Sequence, residues 1–383
     1  MKRLGFIGFG LRAEYMMRAF TSQELPITVT AIADPRMEEL KISMRNDERY
    51  KDTHFYKSAE EMLNNEALDG IFIGTRCSLH THYASMVIEK GLPLFLEKPV
   101  CISDEQYAEL VSHLSEESNN KTVVSFPLRL TCIVEAMHEL VNSGKLGTIT
   151  SVEAINNVPY GSVYYHSWYR DPSETGGLFL QKATHDIDYI TYILGKDPVE
   201  VFAMTSKMYF KGDMPSGLKC KNCPKRDNCK ESDLYVKNIM KEEPTGEYCC
   251  FAKDTGNEDV GAALFRCQDG TIINYHQTFL VKQNAGRRGA RFIGTKGSAE
   301  FDFYTAELRV DMYEFNETAI HKFKWPNPQH FGGDEALARL FMEVINCKPS
   351  TSSLKDGLKS AKACLSAKRA ANTNSAIQIE YSF

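Results

Sequence analysis

The run Gly8-Phe9-Gly10-Leu11-Arg12-Ala13 constrains the N-terminal third of the chain more tightly than any other stretch. A short apolar segment, Leu4-Gly5-Phe6-Ile7, precedes it and reads as a buried parallel strand. A helical pattern reaching about Phe20 follows it. In a G-x-G-x-x-A turn the first glycine permits the tight bend and the second lets backbone approach a pyrophosphate. The small third residue lets the helix pack closely on the strand. The helix N-terminus then presents unpaired N–H groups to phosphate. A second strand, Ile27–Ala33, ends in Asp34, 21 residues past Ala13, where an acid accepts from a ribose hydroxyl. Asp34 favours NAD over NADP by repelling a 2′-phosphate. Arg36 either softens that preference, stacks on adenine or is solvated. Gly8, Gly10, Leu11, Arg12, Asp34 and Arg36 are the first candidate cofactor contacts.

The strand–helix alternation continues. Ser58–Leu63 reads as a short helix, Asp69–Gly74 as a buried strand, and His82–Lys90 as a helix. Pro93–Leu96 is a further strand, Ser103–Glu117 another helix, and Thr122–Phe126 the last strand of the unit. Open α/β sheets bind ligands at the C-terminal ends of their strands. Thr75, His80, Glu97 and Lys98 all follow such ends, so they join the cofactor candidates.

Beyond residue 126 the pattern changes. Ile149–Asn157, Val199–Phe210, Asp259–Cys267, Thr271–Thr278, Ala290–Gly294, Ser298–Phe303 and Glu307–Val310 are rich in β-branched and aromatic residues. Gly294-Thr295-Lys296-Gly297 reads as a hairpin turn. With few helices between them, these strands are expected to pair mostly antiparallel. Helices over Asp334–Asn346 and Ser353–Asn372 and a final strand, Ala376–Phe383, complete the chain, with Asp334 as a helix N-cap. The fold class is therefore an α/β Rossmann domain, residues 1–126, followed by an α+β domain, 127–383, on a large mostly antiparallel sheet. A cysteine-rich insertion occupies about 210–255.

Gly176 through Ile190 combines a glycine pair with helical spacing. Ala183, Ile187, Ile190 and Leu194 share one face; Lys182, His185, Asp186 and Tyr189 share another, a pattern that suits a half-buried helix with a polar side. Just upstream, Trp168, Tyr169 and Arg170 fit either a polar substrate or ordinary packing, and Arg129 is a further candidate contact. Arg287-Arg288 reads as a solvated basic turn.

In the insertion, Cys220-x2-Cys223-x5-Cys229 precedes Cys249-Cys250 in a polar segment. C-x-x-C brings two thiolates to one ion, and either Cys249 or Cys250 could complete a tetrahedron with Cys229. Structural zinc, an iron–sulfur cluster, and disulfides or free thiols are the alternatives, with a metal supplying the ordering energy that a polar segment lacks.

A net charge of -5 argues against an electrostatic nucleic-acid binder. No apolar run approaches the roughly 20 residues of a membrane span. The N-terminus runs straight into a strand without the apolar core of a signal peptide, so a cytoplasmic location is expected.

Taken together, Gly8-x-Gly10-x-x-Ala13, Thr75-x-x-x-x-His80, Glu97-Lys98-Pro99 and Gly176-Gly177 through His185-x-x-Asp188 resemble the Gfo/Idh/MocA oxidoreductases. That resemblance implies an NAD(P)-dependent dehydrogenase or reductase acting on a sugar, polyol or related small molecule. It implies a homo-oligomer, dimer or tetramer, with one sheet face as the subunit interface. It also implies that Lys98 and His185 are catalytic and lie against the substrate carbon. Arg129, Trp168, Tyr169, Lys182 and Asp186 are candidate substrate contacts beside them. The chain departs from the commoner family pattern at Gln181, where many members carry an acid, so Asp186 is left to orient His185, or nothing is. Two other readings are a glycosidase that uses NAD for transient oxidation and a non-catalytic dinucleotide-binding regulator.

Overall fold

The computed structural model describes residues 1–325, 327 and 329–383. The chain divides into two compact units, and neither is contiguous in sequence. Unit 1 comprises residues 1–135, 325–362 and 381–383; unit 2 comprises 136–324 and 363–380. The expected boundary at residue 126 therefore falls inside unit 1, and a C-terminal segment returns to that unit.

Unit 1 is built on six parallel strands: β1 (Lys2–Ile7), β2 (Ile27–Ala33), β3 (His54–Tyr56), β4 (Gly70–Ile73), β5 (Leu94–Leu96) and β6 (Thr122–Val124). Their order, β3-β2-β1-β4-β5-β6, reverses direction at β1, the switch point where doubly wound sheets bind ligands. β1, β4 and β5 carry near-continuous apolar runs because helices cover both faces of such a sheet. One covering helix, Gly333–Ile345, comes from the returning segment. Its Leu337, Phe341 and Ile345 share a core with Phe6, Phe20, Phe72 and Phe95.

Unit 2 carries nine strands: β7 (Ile149–Asn157), β8 (Pro198–Ser206), β9 (Val260–Cys267), β10 (Ile272–Thr278), β11 (Arg287–Gly294), β12 (Gly297–Asp302), β13 (Glu307–Met312), β14 (Glu317–Lys322) and β15 (Ile377–Gln378). They are ordered β14-β13-β12-β11-β7-β10-β9-β8-β15, and every neighbouring pair is antiparallel except β10–β7. The hairpin at Gly294–Gly297 joins β11 to β12 as its sequence predicts.

Other expectations change as well: the helix expected over Ser103–Glu117 is two, Asp104–Ser112 and Glu116–Lys121, and the strand expected to reach Phe210 ends at Ser206. β14 was not anticipated: it is exposed along its whole length, so no buried face marks it in the sequence. The C-terminal strand shrinks to two residues. Asp334 does not cap its helix. Gly332 is the N-cap, at φ +83°, and Asp334 sits in the first turn, buried.

Candidate active site

In unit 1 the fingerprint folds as its glycines require. Gly8 has φ +78°, and a Cβ there would meet Thr75 at 2.8 Å, so the first glycine is fixed by both backbone and neighbour. A Cβ at Gly10 would meet nothing within 4 Å, leaving open space beside the start of the helix Leu11–Ser22. No side chain caps that helix, so its first N–H groups are available to an anion. Asp34, buried at the end of β2, accepts from the Phe9 amide at 2.9 Å and from Arg36 Nη2 at 3.0 Å. Burial pushes this carboxyl up, but the Arg36 and Phe9 hydrogen bonds outweigh it and hold Asp34 below its ordinary value. A turn open to phosphate and an ionised acid at the next strand end fit the two ends of a dinucleotide's pyrophosphate–ribose segment.

Arg12 is held by side chains at the strand ends and on the returning segment. Its guanidinium bonds Glu97 Oε1 at 3.0 Å and both oxygens of Asp334 at 3.1 Å, with Ser125 Oγ at 3.3 Å and His330 Nδ1 at 3.2 Å. Asp334 is buried, which disfavours its charge. The charges of His330 and Arg12 more than compensate and hold it well below the usual carboxylate range. Arg12 thus ties the fingerprint helix to the end of β5 and to the returning helix, and Glu97 acts as its anchor.

His80 makes a contact of its own beside Lys98. It is buried, and its Nδ1 lies 2.7 Å from the Pro99 carbonyl, steadying the turn that follows Lys98, whose bond to Pro99 is cis. Burial drives His80 below its ordinary value, so it stays a neutral imidazole. Lys98 itself is only partly buried. Arg129 is held inside unit 1 by the Thr351 carbonyl at 2.9 Å and Asp356 at 3.1 Å.

In unit 2 the stretch expected as a half-polar helix is buried on every side from Thr175 through Ile190. It begins as a π-helical turn, Phe179–Ala183, and continues as the α-helix Thr184–Leu194. Its Asp186 meets a polar row on the sheet. Asn156, Gln277 and Arg288 lie side by side on β7, β10 and β11. Asp186 takes hydrogen bonds from Arg288 Nε at 2.7 Å, Asn156 Nδ2 at 2.6 Å and the Tyr275 hydroxyl at 2.9 Å. Arg288 and Asp186 are 4% and 0% exposed. The expected basic turn is therefore wrong: both arginines lie in β11, Arg288 buried in phase with Ala290 and Phe292, and of the two only Arg287 faces solvent as expected. Asp186 is fully engaged by the sheet, so it fixes the helix that carries His185.

Lys182 Nζ hydrogen-bonds the Tyr160 hydroxyl and lies 4.5 Å from that ring's centroid. Burial, and then the Arg288 charge, push Lys182 well below the ordinary lysine value, against a weaker pull from Asp186. Trp168 and Tyr169 stack at 3.9 Å, and Asn257 Nδ2 bonds the Tyr169 carbonyl at 2.8 Å. Arg170 pairs with Asp254 at 2.6 Å.

Two matches decide the family. A family model described as "Oxidoreductase family, NAD-binding Rossmann fold" matches residues 2–126, and one for the GFO/IDH/MocA C-terminal domain matches residues 134–300. The chain belongs to the Gfo/Idh/MocA oxidoreductases. It is an NAD(P)-dependent oxidoreductase with an NAD-binding Rossmann domain. A putative oxidoreductase YteT of Bacillus subtilis is 26% identical over 359 residues, covering 85% of this chain and 80% of the relative. The fold is shared with a levoglucosan dehydrogenase solved with NADH and levoglucosan (TM-score 0.77, 17% identity, 99% and 100% of the two chains). It is shared too with a scyllo-inositol dehydrogenase from Lactobacillus casei solved with NAD(H) and scyllo-inositol (TM-score 0.72, 19% identity, 99% of each chain).

The cysteine insertion departs from expectation. Cys220, Cys223, Cys229, Cys249 and Cys250 are free thiols, and among the described residues no three His, Cys, Asp or Glu side chains gather as metal ligands. Neither zinc nor an iron–sulfur cluster is supported by this geometry. The physical reason is that the insertion does not lack a core. Cys250 and Phe210 pack with Tyr164, Tyr165 and Phe279, and Asp259 takes the amides of Met208, Tyr209 and Phe210. Burial pushes the Cys220 thiol up to about 11 and raises Cys250 further.

Proposed function

We propose that this family member is a dehydrogenase of a sugar, polyol or related hydroxylated molecule, with NAD as its working cofactor, His185 as proton acceptor and Lys98 as the cation beside the reacting oxygen. The observation that carries the reading is the clamp on Asp186. A helix anchored to a sheet by a buried arginine, an amide and a phenol gives the neighbouring His185 a fixed position, which general base catalysis requires. Gly8, Gly10 and the uncapped helix Leu11–Ser22 would hold the pyrophosphate and Asp34 the ribose; the bound nicotinamide supplies the hydride acceptor. His185 takes the hydroxyl proton, and Lys98 stabilises negative charge developing on that oxygen. The names of the relatives, which include inositol and levoglucosan dehydrogenases, support the substrate class.

We also propose a homo-oligomer built on the outer sheet face, where Phe202, Met204, Leu264 and Ile272 of β8, β9 and β10 are exposed together.

The test is a cofactor-reduction screen across sugars, inositols and amino sugars with NAD and NADP side by side. On the best substrate, Lys98→Met and His185→Ala should each lower kcat by about 10²–10⁴-fold while NAD binding, read by fluorescence, stays intact. Unimpaired turnover in both variants would overturn the assignment.

A further inference from the structure

Unit 2 contains a cavity of about 340 Å³, within the range of small-molecule sites. One wall is the loop after β7, with Tyr160 and His166; the other is the cysteine insertion, from Glu231 to Gly246. The insertion lies tight on that loop: a Cβ at Gly246 would stand 2.1 Å from the His166 carbonyl oxygen. The two walls are therefore held in register by close backbone approach.

The lining is a hydrogen-bonding surface. Glu231 is 5% exposed; its carboxylate accepts from the Tyr209 hydroxyl at 3.1 Å and from Lys282 Nζ at 3.1 Å, and His166 Nε2 lies 4.0 Å away. His166 is itself fixed, with Nδ1 2.6 Å from the Tyr248 carbonyl. A buried carboxylate beside a lysine and an imidazole offers both acceptors and donors at short range, which suits vicinal hydroxyls. Tyr160, 47% exposed, adds an aromatic ring to the wall. At the rim Glu242 and Glu243 are exposed, so the mouth repels anions.

The position of the cavity gives it meaning. The hydroxyl of Tyr160 is bonded to Lys182, and Lys182 precedes His185 by three residues, one turn of the same helical segment. The wall of the cavity and the proposed base are thus joined through one side-chain contact.

We propose that this cavity is a subsite for a second, neutral sugar ring, so that the chain acts on a di- or oligosaccharide or other glycoside and not only on a single ring. The inference rests on the reading of His185 as the reacting base. The hydroxyls of the second ring meet Glu231, Lys282 and His166, and its face meets Tyr160. Uronates and sugar phosphates are disfavoured by the rim carboxylates.

The test uses the full chain with NAD bound. Cellobiose, lactose and melibiose are compared with their component monosaccharides in two readouts, equilibrium binding by calorimetry and NAD reduction. Thr245→Trp fills the mouth from an exposed rim position, and Lys282→Met removes a donor. The expected result is that the preferred disaccharide binds roughly tenfold more tightly than either component, the scale of one or two good hydrogen bonds. Each variant should abolish that advantage and leave monosaccharide binding unchanged. Equal affinity for one ring and two, or a variant that weakens both alike, overturns the subsite even if monosaccharides are oxidised. Disaccharide binding that the variants abolish, with no NAD reduction by these sugars or by any compound of the wider screen, keeps the subsite and overturns the dehydrogenase reading. Should Thr245→Trp fail to fold by circular dichroism, Lys282→Met alone decides.

Discussion

Arg12 in unit 1 and Arg288 in unit 2 both pair with carboxylates distant in sequence, but they do so in different surroundings. Arg12 is 22% exposed and divides its charge between two acids, a histidine and a serine. Arg288 is 4% exposed and meets one acid that is itself wholly buried. In a dry site the attraction is strong, but so is the cost of removing either partner, because the survivor keeps a buried charge. In a wetter site water absorbs part of the loss. The cost of breaking the Arg288 pair is therefore expected to exceed that of breaking the Arg12 contacts.

The largest expected effect follows from that contrast. Arg288→Met should destabilise the protein by about 3–5 kcal/mol in urea denaturation, and pairing it with Asp186→Asn should restore most of the loss. If the double variant is no more stable than the single one, the clamp is not a pairwise interaction. Arg12→Met should cost less, between the ~1 kcal/mol of an exposed pair and the ~3–5 kcal/mol of a buried one, and its cost should depend on acid. Asp334 has a depressed pKa, so its contribution is present at neutral pH. It fades as pH falls below the ordinary carboxylate value, about 3.9, toward the folded one. The gap between wild type and Arg12→Met should narrow over that window, whereas a flat gap would show that Arg12 acts by packing.

Two smaller effects sharpen the comparison. Asp34→Ala should weaken NAD by about tenfold, or ~1.4 kcal/mol, and also lower the thermal midpoint, because the buried Phe9 amide loses its acceptor; unchanged NAD affinity would make Asp34 a partner of Phe9 and Arg36 and no more. Lys182→Met should stabilise unit 2 by about 1 kcal/mol at pH 7, since a buried amine resists its charge. Lysine protonates more readily in the unfolded chain, so wild-type stability rises with pH up to the ordinary lysine value of about 10.4. The advantage of the methionine should shrink over the same range.

The two units were also unequally legible in sequence. In unit 1 the strand, the Gly8–Ala13 turn and Asp34 are local signals, each read from a few adjacent residues, and all fold as expected. What was missed there, Arg12 with Asp334, joins residues 322 positions apart. In unit 2 most strands, though not β14, were readable from their β-branched and aromatic residues, but the clamp was not, since Asp186 and Arg288 are 102 positions apart. One signal was present: extending the inward phase of Phe292 and Ala290 by two residues lands on Arg288. Two adjacent arginines before a glycine suggested a turn, and turn composition won over strand phase. The cysteine insertion misled for a related reason. Its spacing matches a metal site, but its ordering comes from aromatic residues supplied by a distant loop.

The discontinuity of unit 1 has a consequence for how the chain is made. Roughly 190 residues intervene between Glu135 and Trp325. At 5–20 residues per second, a ribosome needs about 10–40 s to translate them. Throughout that interval the apolar surfaces of Phe20, Phe72 and Phe95 wait for Leu337, Phe341 and Ile345. The nucleotide-binding half is synthesised first but completed late, so nascent chains stalled before residue 325 should bind chaperones and resist proteases poorly compared with chains released after Ile345.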